Sequence, residues 1–167
     1  MIDRFSGLNI IYLQPGDFHI TEKSEIVTTV LGSCLSVIMF SEKNSLSGIC
    51  HSLLPRCTGD GSHCLMCPNA FKYVNCSIAI MVEIFERHGV KRDQIEVKVF
   101  GGAEMFSSDG YDRSVGKQNI QIAMEILANE KLRVTASDTG GIFGRKIYFV
   151  THTGEVFMQK IKKTQQH

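Results

Sequence analysis

The segment T-T-V-L-G-S-C-L-S-V-I-M-F, at residues 28–40, most limits how this chain can fold. Its apolar and β-branched residues predict two strands, and Gly32 and Ser33 predict a sharp bend between them. Such a bend can lift the side chain of Cys34 out of the core. The backbone N–H groups that it frees can face a developing oxyanion and stabilise a thiolate. The segment therefore indicates a cysteine nucleophile, although most free cysteines are simply small buried residues.

The remaining apolar pattern predicts an α+β fold, in which runs of strands enclose two helices. One helix is expected to begin at an N-cap at Asn75 and to end at Gly89, and the other to span residues 118–129. We expect a single domain, residues 1–167, of packed mixed β-sheets with two or three outer helices. The predicted strands lie at residues 9–13, 25–31, 35–40, 46–54 and 95–100, followed by a closing hairpin that turns at Thr153-Gly154.

Composition excludes several classes of function. The chain has 167 residues and a formal net charge of +1, so it lacks the basic surplus that nucleic acid or anionic membrane would attract. Its N-terminus does not resemble a signal peptide, and no window approaches the roughly 18 apolar residues that span a bilayer. We therefore expect a cytoplasmic protein with no nucleic-acid partner and no membrane insertion. Its six cysteines are then expected to be reduced.

A nucleophilic thiol needs a base, and His51 is the best placed of the histidines. If the strand after the bend pairs with the next strand, Cys34 and His51 meet near one end of the sheet. A thiol and an imidazole within hydrogen-bond reach are the basic unit of cysteine catalysis. The alternative is a histidine whose hydrogen bonds are satisfied inside a core strand. Either Thr28 or Thr29 could orient the imidazole, since the bend makes strand parity unreliable.

Four further cysteines lie in and beside a polar loop and form a second chemical group. Cys57, Cys64, Cys67 and Cys76, with His63, would supply enough ligands for zinc. Only one short-spaced pair is visible, Cys64-x-x-Cys67, whereas a structural zinc site normally has two such pairs. The sequence therefore favours unliganded or redox-sensitive thiols over a metal site.

Several separate motifs occur in an order that is typical of one family. They are G-S-C before an apolar strand, G-x-x-H-x-x-L-P at 48–55, K-Y-V-N at 72–75, F-G-G-A-E-M-F at 100–106, V-G-K-Q-N at 115–119 and D-T-G-G-I-F-G-R-K at 138–146. Together they resemble the CheD chemoreceptor glutamine deamidases over nearly the whole chain. A lone G-S-C would be a weak signal, but this series is specific.

The resemblance implies a cysteine-hydrolase fold that is similar to that of glutamine-deamidating bacterial toxins. It implies that Cys34 is the nucleophile and His51 the base. The catalytic threonine of the family lies six residues before the cysteine, which implies Thr28. The implied reaction converts glutamine side chains to glutamate through a thioester and releases ammonia, and a glutamyl methyl ester could form the same acyl-enzyme. This reaction requires no metal or organic cofactor.

The resemblance also implies partners. The substrates would be the cytoplasmic helices of methyl-accepting chemotaxis receptors, and some members of the family bind a CheC-type phosphatase. A second interpretation is a catalytically silent protein that only modulates such a phosphatase, but the intact catalytic set argues against it. Arg145 is expected to be solvated rather than part of the site.

Overall fold

The structure is a computed structural model that describes residues 5–59, 64–104 and 114–162. It has the predicted α+β architecture of mixed sheets and outer helices. The elements in the described residues are β1 (Asn9–Tyr12), β2 (Phe18–Thr21), β3 (Glu25–Leu31), β4 (Leu35–Ser41), β5 (Leu46–Cys50), α1 (Val74–Arg87), β6 (Glu96–Gly101), α2 (Val115–Asn129), β7 (Arg133–Thr139), β8 (Gly144–Val150) and β9 (Val156–Ile161).

The described strands form two sheets, and the bend of the opening segment connects them. The first sheet has the order β1-β3-β8-β9 and the second the order β2-β5-β4-β6-β7. Pairing is antiparallel except between β1 and β3 and between β6 and β7. Because β3 and β4 belong to different sheets, Gly32 and Ser33 carry the chain from one sheet to the other. Cys34 therefore lies where the sheets meet.

Two apolar cores hold the second sheet between the first sheet and the helices. Burial of each large apolar side chain contributes about 1.5–3 kcal/mol, so both cores stabilise this layered arrangement. The inter-sheet core contains Leu13, Val27, Leu31, Ile38, Ile49, Phe100, Ile147 and Phe149. The core under the helices includes Met39, Cys50, Ile78, Met81, Phe85, Val97, Val99, Ala123 and Leu127.

Both predicted helices are present, and their N-termini differ from the prediction. The N-cap of α1 is Tyr73, so the predicted N-cap at Asn75 is wrong. The predicted end is confirmed, because Gly89 follows the helix with φ 75°. The helix α2 begins three residues early because the Ser114 hydroxyl accepts a hydrogen bond from the Lys117 backbone at 3.2 Å.

The strand predictions were less complete than the helix predictions. The strands β2 and β7 were not predicted, and both form edges of the second sheet with mainly partly or fully exposed residues. The strand predicted to run to residue 54 ends at Cys50, just before His51. The closing hairpin of β8 and β9 is confirmed, with Gly154 at φ 78°. Within the described ranges, no helix has the length and apolar character needed to cross a membrane.

Candidate active site

A glycine pair at the end of β6, Gly101 and Gly102, supports the bend that presents Cys34. The Gly102 N–H donates to the Cys34 carbonyl at 2.8 Å, and the Ala103 N–H donates to the Gly32 carbonyl at 2.9 Å. Gly101 has φ +112°, and a Cβ at this position would collide with the Cys34 carbonyl oxygen. Gly102 also has a positive φ, of 69°. This segment therefore passes so close to the bend that only glycine fits.

Cys34 and His51 come together through a short backbone ladder at the end of the β4–β5 pair. Leu35 and Ser52 exchange two backbone hydrogen bonds of 2.9 Å, which makes Cys34 and His51 diagonal neighbours. The half-buried Cys34 packs against the inter-sheet core, and His51 is 2% exposed. The predicted pairing of β4 with β5 is confirmed.

A hydrogen-bond relay fixes the tautomer of His51. The Thr29 hydroxyl lies 2.7 Å from Nδ1 of His51 and donates its one hydrogen to the Leu13 carbonyl at 2.8 Å. Since a carbonyl can only accept, Thr29 must accept the hydrogen bond of the Nδ1–H group. The lone pair of neutral His51 is therefore on Nε2. This atom is buried and has no hydrogen-bond partner among the described residues.

The contact expected of Thr28 is made by Thr29. Thr29 shares the inner face of β3 with Val27 and Leu31, whereas Thr28 faces the other side. The buried Thr28 hydroxyl has no hydrogen-bond partner in the described part of the chain. Counting alternate residues back from Cys34 does not identify the residue that faces His51. The chain changes sheet at the bend, so the alternation of strand faces does not continue through it. In the structure, Thr29 rather than Thr28 makes the hydrogen bond to His51.

Burial keeps both members of the pair neutral at neutral pH. It raises the pKa of the Cys34 thiol above its ordinary value, and contact with the residue's own backbone N–H lowers this pKa by less. Burial also lowers the pKa of His51 to about 4, although the nearby charge of Asp17 opposes the shift. The backbone N–H of Cys34 therefore favours the thiolate, as expected of the bend, but burial outweighs it and the resting thiol is neutral. No hydrogen bond joins Cys34 Sγ to His51 Nε2, a separation that is common before substrate binds.

Two backbone N–H groups at the bend are available to an anionic oxygen. Within the described ranges, the amides of Ser33 and Cys34 donate to no other residue, although the Cys34 amide contacts its own thiol. Unpaired amides next to a nucleophile are the usual components of an oxyanion hole.

Comparison with known proteins identifies the family. Residues 53–160 match the family model described as CheD chemotactic sensory transduction. A probable chemoreceptor glutamine deamidase CheD 2 of Geobacter sulfurreducens is 43% identical over 165 residues, which cover 99% of this chain and 98% of the relative. The chain belongs to the CheD family.

Other similar proteins include two further CheD relatives and one solved structure. Probable chemoreceptor glutamine deamidases of Sulfurimonas denitrificans and Thermococcus kodakarensis are 35% and 34% identical. These matches cover 92% and 87% of this chain, and 96% and 89% of the relatives. The crystal structure of protein NMB0706 from Neisseria meningitidis is 11% identical, with a TM-score of 0.46 over 84% of this chain and 65% of that chain.

Asn119 is a residue of this CheD site that the sequence analysis missed. This fully buried side chain on α2 donates from Nδ2 to the Ser33 carbonyl at 2.9 Å and to the Leu53 carbonyl at 3.1 Å. It thereby joins the bend before Cys34 to the segment after His51. The available signal was an amide side chain four residues before Ala123, on the face of α2 that packs against the core.

Arg145 is buried, so the expectation that it is solvated is wrong. It is 3% exposed, and its guanidinium donates to one carboxylate oxygen of Asp138 at 2.7 and 2.8 Å and to the Gly140 carbonyl at 2.8 Å. The Gly140 N–H in turn donates to the Gly101 carbonyl at 2.9 Å. The D-T-G-G-I-F-G-R motif of this CheD chain is therefore fixed by these hydrogen bonds, and it supports the glycine pair behind Cys34.

The extra cysteines form a cluster of their own. Sγ atoms of Cys57, Cys64 and Cys76 all lie within 4.8 Å of one another. Cys67 packs against this group, and His63 lies outside the described residues. Burial raises the pKa of Cys64 and Cys76, whereas a hydrogen bond from Asn75 lowers that of Cys57. All six cysteines are free thiols in the structure.

Proposed function

We propose that this CheD family member hydrolyses glutamine side chains of chemotaxis receptors to glutamate and ammonia, with Cys34 as nucleophile and His51 as base. The observation that carries the proposal is the lone pair on Nε2 of His51, which the Thr29 relay fixes at a diagonal neighbour of Cys34. Family membership supports the reaction class, because similar proteins are named probable chemoreceptor glutamine deamidases. The receptor segments that carry these glutamines would be cytoplasmic.

The first half of the reaction forms a thioester. As Cys34 Sγ attacks the γ-carboxamide carbon, its proton moves to His51 Nε2. The amides of Ser33 and Cys34 donate to the oxygen, which becomes negatively charged. Imidazolium then gives its proton to the leaving nitrogen, and ammonia departs as the carbon–nitrogen bond breaks.

The second half regenerates the thiol. Water gives a proton to His51 Nε2 and attacks the thioester carbon. The carbon–sulfur bond breaks, glutamate is released, and the proton returns to Cys34. A glutamyl methyl ester would form the same acyl-enzyme with loss of methanol, so methylesterase activity belongs to the same proposal. Because thiol and imidazole start neutral, charge separates only when the proton moves from Cys34 to His51 as the sulfur attacks.

The test is incubation with receptor cytoplasmic domains, followed by peptide mass spectrometry for glutamine-to-glutamate conversion. Cys34→Ala should lose conversion entirely, because it removes the nucleophile and only a small side chain. His51→Ala should lower kcat by roughly a hundredfold or more, the usual contribution of a general base. His152→Ala, which changes an exposed histidine of the β8–β9 turn, is the matched control and should retain the wild-type rate. Turnover by a folded Cys34→Ala protein would overturn the mechanism.

A further inference from the structure

We propose that Cys57, Cys64 and Cys76 bind a structural zinc ion as three thiolates, with Cys67 as the fourth ligand. The three thiols come from different parts of the chain. Cys57 lies in the connection after β5, Cys64 begins a short 3₁₀ helix, and Cys76 lies in α1. The sequence suggested only one short-spaced pair, whereas the fold brings ligands together over long spacings. This site is separate from the inter-sheet core that holds Cys34.

The distances match thiolate coordination. Zinc–sulfur bonds of about 2.3 Å in a tetrahedron place the sulfur atoms roughly 3.8 Å apart. The three Sγ atoms already lie within 4.8 Å of one another, so a shift of about 1 Å or less would complete this arrangement. A disulfide would join two of these thiols and leave the third beside it. A zinc ion uses all three.

Asn75 supplies the outer contacts that a thiolate site requires. Its Nδ2 donates to Cys57 Sγ at 3.6 Å and to Cys64 Sγ at 3.8 Å, and its Oδ1 accepts from the Cys57 backbone at 3.1 Å. Such second contacts orient metal ligands and stabilise their negative charge. Simple apolar packing of cysteines would not require an amide that faces two sulfur atoms.

Cys67 is the available fourth ligand. It packs at the edge of the cluster and is separated from Cys64 by one 3₁₀ turn, in which its N–H donates to the Cys64 carbonyl at 3.2 Å. Its thiol contacts only the adjacent Pro68 carbonyl, at 3.4 Å, among the hydrogen bonds of the described residues. Rotation about the Cα–Cβ bond of Cys67 can release this weak contact.

The proposed zinc would anchor the long connection between β5 and α1. Apart from bridges at Ser52 and Leu54, the described part of this connection has only short 3₁₀ turns, and its buried apolar residues are the small Cys64 and Ala70. It also borders the candidate active site, because the Leu53 and Leu54 N–H groups donate to the Lys72 carbonyl at 2.9 and 3.0 Å. Metal binding is coupled to folding in such segments, so the ion would stabilise this side of the molecule.

The experiment is elemental analysis of the full chain purified under reducing conditions without chelator. Wild type should contain one zinc per chain, and Cys57→Ser and Cys76→Ser should each lose it. Cys34→Ala is the matched control, because it removes a thiol outside the cluster and should keep the metal. Cys67→Ser should retain zinc less tightly, so that a chelator removes it faster than from wild type. Equal removal rates would overturn the assignment of Cys67.

A second measurement keeps the proposal testable if the serine variants fail to fold. Wild type stripped of metal and titrated with Co²⁺ should develop thiolate-to-cobalt charge-transfer absorption that saturates at one equivalent. Wild-type protein without zinc that also gives no such absorption would overturn the proposal, as would a disulfide among these cysteines in freshly reduced protein. Both readouts are independent of deamidation, so failure of this site and failure of the Cys34 mechanism are distinguishable.

Discussion

At the residue scale, the direction of one hydroxyl hydrogen decides how the candidate site can work. Thr29 donates to the Leu13 carbonyl and can therefore only accept from His51 Nδ1. If this relay were reversed, Nε2 would carry the hydrogen and could not accept a proton from Cys34. In the proposed mechanism, the threonine is a positioning residue that acts through a backbone carbonyl rather than through a charged group.

Replacement of the two adjacent threonines tests this relay. Thr29→Val keeps the shape of the side chain but removes the acceptor for Nδ1–H, so kcat for glutamine deamidation should fall roughly tenfold to a hundredfold. Thr28→Val is the matched control, and it should have the smaller effect because its hydroxyl makes no hydrogen bond to a described residue. Kinetics of both variants, with Thr29→Ser as the variant that restores the hydroxyl, give the ranking. A greater loss from Thr28→Val would return the orienting role to Thr28.

The low pKa of His51 predicts an unusual dependence on pH. The base must be neutral, so kcat/KM should remain level below neutrality and fall only near the pKa of about 4. The thiol pKa is raised, so alkylation of Cys34 should increase with pH at alkaline values and show no thiolate plateau at neutrality. Rate profiles and iodoacetamide labelling, read by peptide mass spectrometry, measure both. An acid midpoint near 6.5 would contradict burial of the working imidazole.

The same shift affects stability in a defined pH window. Unfolded histidine has a pKa of about 6.5, so between about pH 4 and 6.5 the unfolded chain binds more protons at this position than the folded chain. The contribution of His51 is therefore fully present above about pH 6.5 and is lost as pH falls towards 4. Urea unfolding of His51→Ala should show a weaker pH slope in this window than that of His152→Ala.

At the scale of elements, the nucleophile bend depends on its neighbours. Asn119 on α2 contacts the segments before Cys34 and after His51, and the glycine pair at the end of β6 also supports the bend. Their contacts are with the backbone around Cys34 and His51. If these contacts position the bend, their loss should appear in the rate of the chemical step.

Truncation of Asn119 tests this support. Asn119→Ala leaves the buried carbonyls of Ser33 and Leu53 without their donor, which should cost about 1–3 kcal/mol of unfolding free energy for each. It should also lower kcat more than it raises KM, because the bend loses its position. Gln121→Ala, an exposed amide on the same helix, is the control. Equal kcat values for Asn119→Ala and wild type, at a temperature where both are folded, would show that Asn119 contributes to stability only.

Elements with a strong local pattern could be predicted from the sequence, and contacts across the fold could not. The helices were predicted because α1 and α2 have apolar residues at helical spacing, whereas the edge strands β2 and β7 have too few buried residues to give a pattern. The pairing of β4 with β5, which makes Cys34 and His51 diagonal neighbours, is local and was predicted. Which threonine contacts His51 depends on the change of sheet at the bend, which the sequence does not reveal. The burial of Arg145 likewise depends on its contact with Asp138 in the preceding strand.

At the scale of the whole molecule, the candidate site is assembled from both sheets. Thr29 belongs to the first sheet, His51 follows a strand of the second, and Cys34 lies in the connection between them. The distance between the relay and the thiol is therefore set by the packing of one sheet on the other. Loss of packing between the sheets should affect catalysis more than an equal loss under the helices.

Two buried isoleucines provide this comparison. Ile147 pairs with Thr29 across the first sheet and packs between the sheets, whereas Ile78 lies in the core under the helices, and both are 0% exposed. Ile147→Ala and Ile78→Ala should each lower the free energy of unfolding by about 2–5 kcal/mol. At a temperature where both variants are folded, only Ile147→Ala should also lower kcat, because the cavity lets Thr29 move away from His51. Urea unfolding and deamidation rates of the pair test this, and an equal fall in kcat would show that the site senses overall stability rather than the spacing of the sheets.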